Sequence, residues 1–170
     1  NNIALMAGEI DDFDNEFATA VPRKKSASTK QITKASIYQD NLKTAMRSLR
    51  KYSDKYLSGD TLAEYSPKYA RIIHHINNID GSALVYSQFR SVEGLGIFAM
   101  VLEAMGFVEM KVSVEKKKVI IDVKEEDYLK PKYARFSTDK EVSDVLLKIF
   151  NSDLASFDKD VRDVLEKMDV

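Results

Sequence analysis

The sequence contains no cysteine. Disulfides, thiolate metal sites and cysteine nucleophiles are therefore excluded, and an intracellular setting is expected. No apolar run approaches the ~18 residues that cross a bilayer, and no secretory signal leads the chain, so no membrane partner is expected. Both glycine patterns that cradle nucleotides, G-x-x-x-x-G-K-[ST] and G-x-G-x-x-G, are missing. Gly94-Leu95-Gly96 starts the second, but Phe98 and Ala99 follow where glycine is wanted. Internal repeats and low-complexity tracts are absent too. The net charge of −1 gives no overall signature of nucleic-acid binding.

What is present is 170 residues with an apolar fraction of 44%, enough for one domain with a core plus an appendage. Charge is unevenly placed. The first twenty residues carry Glu9, Asp11, Asp12, Asp14 and Glu16 and no base. A basic segment follows, with Arg23, Lys24, Lys25, Lys30, Lys34, Lys43, Arg47, Arg50, Lys51 and Lys55. It reads either as a solvated helix face or as a basic arm for a polyanion, with Arg23, Lys24 and Lys25 at its head. The chain starts on Asn and ends inside an amphipathic pattern, so a piece of a longer protein is expected.

Residues 1 to 35 show no clear period and read as loop or marginal helix. From Ile37 to Leu57, Leu42, Ala45, Met46, Leu49, Tyr52 and Tyr56 recur at helical spacing, and Ser58-Gly59-Asp60 ends the run. Ser66-Pro67 opens a second helix to about Ile79, with Ile72, Ile73 and Ile76 inward. Ala83-Leu84-Val85-Tyr86 is a short apolar strand, and a polar corner and a helix from Val92 to Met105 follow, closed by Gly106. Phe107 to Val114 and Val119 to Val123 alternate on either side of Glu115-Lys116-Lys117-Lys118, the pattern of a β-hairpin. Lys132 to Ser137 reads as a further core strand. Ser137, Thr138 or Asp139 can cap a helix from Lys140 to Phe150, and a last helix spans Ser156 to Met168.

Strand, polar turn and packing helix make the unit of an α/β fold, and in open sheets of that class ligands sit at the carboxyl ends of strands. Ser87, Gln88, Arg90 and Ser91 lie at such an end, beside a helix N-terminus, where they form either a phosphate-holding corner or a capped turn. The other candidates carry little chemistry. His74 and His75 are neighbours on a helix, about 100° apart, and cannot chelate one metal together. Glu93 and Glu103 lack an identifiable catalytic partner. Tyr38, Tyr52, Tyr56, Tyr65 and Tyr69 follow helical spacing and read mostly as core or boundary rather than as a base-stacking platform, which would need them coplanar on a basic surface. No catalytic or metal site is expected in this chain.

The runs Tyr65-Ser66-Pro67-Lys68-Tyr69, Gly81 to Arg90, Glu93 to Phe98 and Leu102 to Phe107 together resemble the second RecA-like domain of superfamily 2 helicases. The poxvirus and giant-virus helicases and nucleoside triphosphatases are the nearest in pattern. Leu84-Val85-Tyr86-Ser87-Gln88-Phe89 resembles that family's motif IV, and Lys130 to Ser137 with Lys148 to Ser152 resembles its next strand and helix. Ser137-Thr138 stands where the family carries glycine. The resemblance spans about residues 62 to 152.

The resemblance implies a P-loop NTPase type of fold: α/β, a partial RecA-like parallel sheet with flanking helices, a β-hairpin insert and a helical N-terminal segment. Residues 1–61 would be an irregular or helical inter-domain segment and 62–170 the first half of the second RecA-like domain. It implies part of an ATP-dependent helicase or translocase, with DNA or RNA backbone as partner and contacts from Ser87, Gln88, Phe89, Arg90, Ser91 and Gly94. The P-loop lysine, the Asp-Glu magnesium pair and the arginine finger are not in these residues. ATP and Mg²⁺ are then cofactors of the parent protein, which supplies the first RecA-like domain and the rest of the second, and this chain alone is not expected to hydrolyse nucleotide. Two rivals stand beside that reading: a non-catalytic binding or scaffold domain that retains the half-fold, and an unrelated α/β phosphate-binding enzyme using Ser87 and Arg90.

Overall fold

A computed structural model describes residues 3–7, 34–88, 92–136 and 138–170. Its centre is a four-stranded, all-parallel sheet in the order β2-β1-β6-β3. The strands are β1 (Ile3–Ala7), β2 (Ala83–Tyr86), β3 (Val108–Glu109) and β6 (Lys132–Arg135). A separate antiparallel hairpin joins β4 (Lys111–Glu115) to β5 (Lys118–Asp122). The architecture is α/β, as expected.

Three local expectations are corrected. Ile3 to Ala7, expected as loop or marginal helix, is an interior strand paired with β2 on one side and β6 on the other. Its Ile-Ala-Leu-Met-Ala run is too short and too uniformly apolar to show a period, which is usual for a strand covered on both faces. Phe107 to Val114 is two strands, not one. Val108 and Glu109 pair with β6, and Met110, buried with its N–H donating to the Tyr133 carbonyl (2.8 Å), hands the chain to the hairpin. A helix also forms where only a connection was expected, α3 below.

The helices follow their caps. α1 (Lys34–Lys51) stops before Tyr52, and the single turn α2 (Ser53–Tyr56) continues after it. α3 (Gly59–Tyr65) leads into α4 (Pro67–Asn78), whose first turn is capped by Ser66 Oγ accepting from the Tyr69 N–H at 3.4 Å. The helix after β2 begins as a wide turn over Val92–Gly96, kinked at Gly94, and becomes regular as α5 (Ile97–Ala104). Gly106, at φ +88, closes α5. Its N–H bonds the Glu103 carbonyl (3.0 Å) and that of Phe107 the Leu102 carbonyl (2.9 Å), a left-handed cap that favours glycine. Asp139, the last of the three proposed cap residues, caps α6 (Lys140–Phe150) by accepting from the N–H groups of Glu141 and Val142. α7 (Lys159–Lys167) ends the chain, shorter than expected because Leu154–Ser156 forms a separate 3₁₀ turn.

Two apolar clusters lie on opposite faces of the sheet. Tyr133 and Ala83 join Leu62, Ile73 and Ile76 and the α5 residues Phe98, Val101 and Leu102 on one face. Ala134, one residue further and so on the other face, joins Val145, Leu146, Ile149 and Leu165 of α6 and α7. The hairpin rests against this second cluster through Val112, Val114, Val119 and Ile121. On edge strand β2, Leu84 and Tyr86 remain 61% and 72% exposed.

Lys132 is buried on the α7 face. Its ammonium donates to the carbonyls of Tyr128 (2.5 Å), Lys130 (2.9 Å) and Met168 (3.1 Å), so it ties the end of α7 to β6 and the loop before it. Burial lowers its pKa, and the Asp169 carboxylate opposes that. Replacing Lys132 with Met keeps the length and leaves three carbonyls without this donor. We expect a loss of about 2 kcal/mol in chemical denaturation and faster hydrogen exchange at the end of α7. Unchanged exchange there would exclude the tie.

Candidate functional site

All four strands of the main sheet run the same way, so their carboxyl ends share one edge. β3 ends at Glu109 and β6 at Arg135, and both residues line a cleft of about 480 Å³ at that edge. α1 forms one wall with Lys43, Arg47 and Arg50. α5 forms another with Ala99, Met100 and Glu103. Lys111, the first hairpin residue, sits at the rim, and Tyr133 lies deeper. Five cationic side chains thus face two carboxylates. The size is that of a small-ligand site, and the charge excess selects for anions.

Internal pairing fixes part of this charge. Arg135 Nε bonds Glu109 Oε1 at 2.6 Å and Nη2 reaches the same oxygen at 2.5 Å, both side chains being about four-fifths buried. The buried Tyr133 hydroxyl donates to Glu103 Oε1 at 3.0 Å. The other oxygen of Glu103 meets Arg50 at 3.6 Å, in an exposed pair of small energetic weight. Among the described residues, Arg47 and Lys111 have no carboxylate within ion-pair distance. Those two cations are the ones most available to a ligand.

Of the residues singled out from sequence, Ser87 and Gln88 fall at the other end of the same edge. Ser87 follows directly on β2 and is half-buried, while Gln88 is exposed. Three interstrand spacings separate β2 from β3, roughly 14 Å. Gly94 is buried, and its carbonyl accepts from the Tyr69 hydroxyl at 3.1 Å. Phe89, Arg90 and Ser91 lie outside the described residues, as do Arg23, Lys24 and Lys25, and the Glu93 side chain is likewise undescribed. His74 and His75 are exposed, and Asn78 Nδ2 donates to the His74 carbonyl at 2.6 Å.

Sequence reasoning missed the cleft. Its cations come from α1, the first hairpin residue and the end of β6, and no local motif joins them. The one available signal was the basic face of α1, which had been read as solvated surface or arm.

Comparison with known proteins adds one relative. A protein of Acanthamoeba polyphaga mimivirus named "Putative ATP-dependent RNA helicase R563" is 32% identical over 69 residues. Over that stretch the chain is similar to a protein named as a helicase. The matched stretch is 41% of this chain and 12% of the relative. No family model and no solved structure matches the chain. Among the described residues, no helix is long and apolar enough to cross a membrane.

Tyr133 gives the site a measurable signature. Burial, reinforced by Glu109 and Glu103, pushes its phenol well above the usual range near 10. In the unfolded chain that proton is lost as pH passes about 10, whereas the folded chain retains it. The contribution of Tyr133 to stability is therefore complete below pH 10 and declines as pH rises further. Tyr133→Phe has no proton to lose, so its denaturation midpoint should fall less steeply than that of the native chain between pH 9.5 and 11. Parallel profiles would show that Tyr133 does not titrate on unfolding.

Proposed function

We propose that this chain is part of an ATP-dependent helicase or translocase, of viral type, in which it contacts the sugar–phosphate backbone of nucleic acid. The observation that carries the reading is the excess of cations in a cleft at the carboxyl edge of a parallel sheet. Similarity to a mimiviral protein named as an RNA helicase supports nucleic acid as the ligand class. The parallel sheet with helices on both faces supports a partial RecA-like domain, and the β4–β5 hairpin would be its insert.

Cations at a sheet edge recognise phosphate by charge and release counterions from the polymer, so binding is strong at low salt and largely indifferent to sequence. Ser87, Gln88, Phe89, Arg90, Ser91 and Gly94 would shape one end of the tracking edge, with Arg47 and Lys111 at the other. The basic run Arg23, Lys24 and Lys25 would add a contact of the same kind. Nucleotide hydrolysis belongs to the parent protein, where ATP and Mg²⁺ are held outside these residues.

The test is fluorescence anisotropy with labelled single- and double-stranded RNA and DNA at several salt concentrations. Arg47→Ala with Lys111→Ala should weaken binding to every sequence alike and lower the salt slope by roughly two. Arg90→Ala should lower it by roughly one. If the native chain binds none of the four polymers at 50 mM salt, or if the slope is unchanged in the variants, the reading is wrong.

A further inference from the structure

Two of the tyrosines that read mostly as core or boundary stand exposed at the α1–α3 corner. Tyr52, at the break between α1 and α2, is 50% exposed, and Tyr65, at the end of α3, is 62% exposed. Tyr56 lies between them. It is one helical turn from Tyr52, its N–H bonding the Tyr52 carbonyl at 3.2 Å, and its ring meets Tyr65 edge to face at 5.1 Å. Tyr56 also packs against the apolar cluster, which fixes the group from below. Ser66 and Pro67 follow Tyr65 at a capped helix start, so its backbone is held as well.

Cations stand over two of these rings. The Lys51 ammonium stands 5.3 Å from the Tyr52 ring centre, and that of Lys55 stands 5.1 Å from Tyr56. Between residues 43 and 56 the chain carries Lys43, Arg47, Arg50, Lys51 and Lys55 against Asp54 alone. The first three line the cleft, Lys51 ends α1, and Lys55 follows on α2, so the basic track runs from the cleft to the tyrosines across the break at Tyr52.

Exposed aromatic faces beside a cationic track suit a polymer that presents flat bases on an anionic backbone. We propose that the exposed rings of Tyr52 and Tyr65, the latter braced edge to face by Tyr56, are stacking contacts for the bases of a single strand whose phosphates lie along Lys51, Lys55 and the α1 wall of the cleft. Bases in a duplex are stacked on one another and cannot reach such rings, whereas every base of a single strand offers a π-face. The platform thus gives the site a preference for single strands that phosphate contacts alone do not supply. This inference rests on the nucleic-acid reading above.

The test separates the two. The chain contains no tryptophan, so its intrinsic emission comes from tyrosine and responds directly to stacking. The 170-residue chain is titrated with a 15-residue oligothymidylate and with an abasic deoxyribose–phosphate oligomer of equal length. The platform requires tighter binding of the thymidylate, by about tenfold, with tyrosine quenching that the abasic oligomer does not cause. Tyr65→Ala should abolish most of that difference while leaving abasic binding unchanged, and Tyr65→Phe should retain it. Equal affinity for both oligomers without quenching, or Tyr65→Ala behaving as native, overturns the platform and leaves the phosphate contacts standing. If neither oligomer binds, the nucleic-acid reading and the platform fail together.

Discussion

Pairing of β1 on both of its edges is the constraint on which the rest of the structure depends. Ala4 to Ala7 run alongside Ala83 to Tyr86, and Ile3 to Met6 run alongside Lys132 to Arg135. Through β1, two strands separated by about fifty residues of sequence become parts of one sheet. Both apolar clusters need that sheet, because Ala83 and Tyr133 face one and Ala134 the other. An unpaired interior strand would leave a row of buried N–H and C=O groups without partners, which no other interaction here could offset.

The sheet in turn makes the cleft. Parallel strands deliver their carboxyl ends to one edge, and that edge is where Glu109 and Arg135 meet α1 and α5. Glu103 links the walls, taking a proton bond from Tyr133 below and an ion pair from Arg50 at the rim. The carboxylates are engaged by their own neighbours, so the field left over is positive. A chain with a net charge of −1 can therefore present a cationic surface, since average charge says nothing about where charges are placed.

Local signals were legible where local physics decided them. Ser66-Pro67 announced α4, Asp139 was among the named caps of α6, and Gly106 closed α5 in the left-handed conformation that glycine favours. The apolar run Ala83 to Tyr86 became a strand. Tyr52 and Tyr65 were misjudged because helical spacing shows which residues share a face and not whether a neighbour covers it. Phe107 to Val114 was misjudged because alternation is the same whether a strand has one partner or changes partner at Met110.

The sequence by itself determined the class of fold, the helix limits set by caps, the hairpin, and a likeness to helicases carried by contiguous runs. These depend on residues within a few positions of one another, where propensity, capping and turn chemistry act. Only the tertiary structure decided that Ile3 to Ala7 lies inside the sheet, that cations from α1, the hairpin and β6 share one cleft, and that Tyr52 and Tyr65 stand exposed. Such placements come from pairing and packing between residues far apart in the chain. Periodicity fixes how an element is oriented about its own axis, and only its partners in space fix what that face meets.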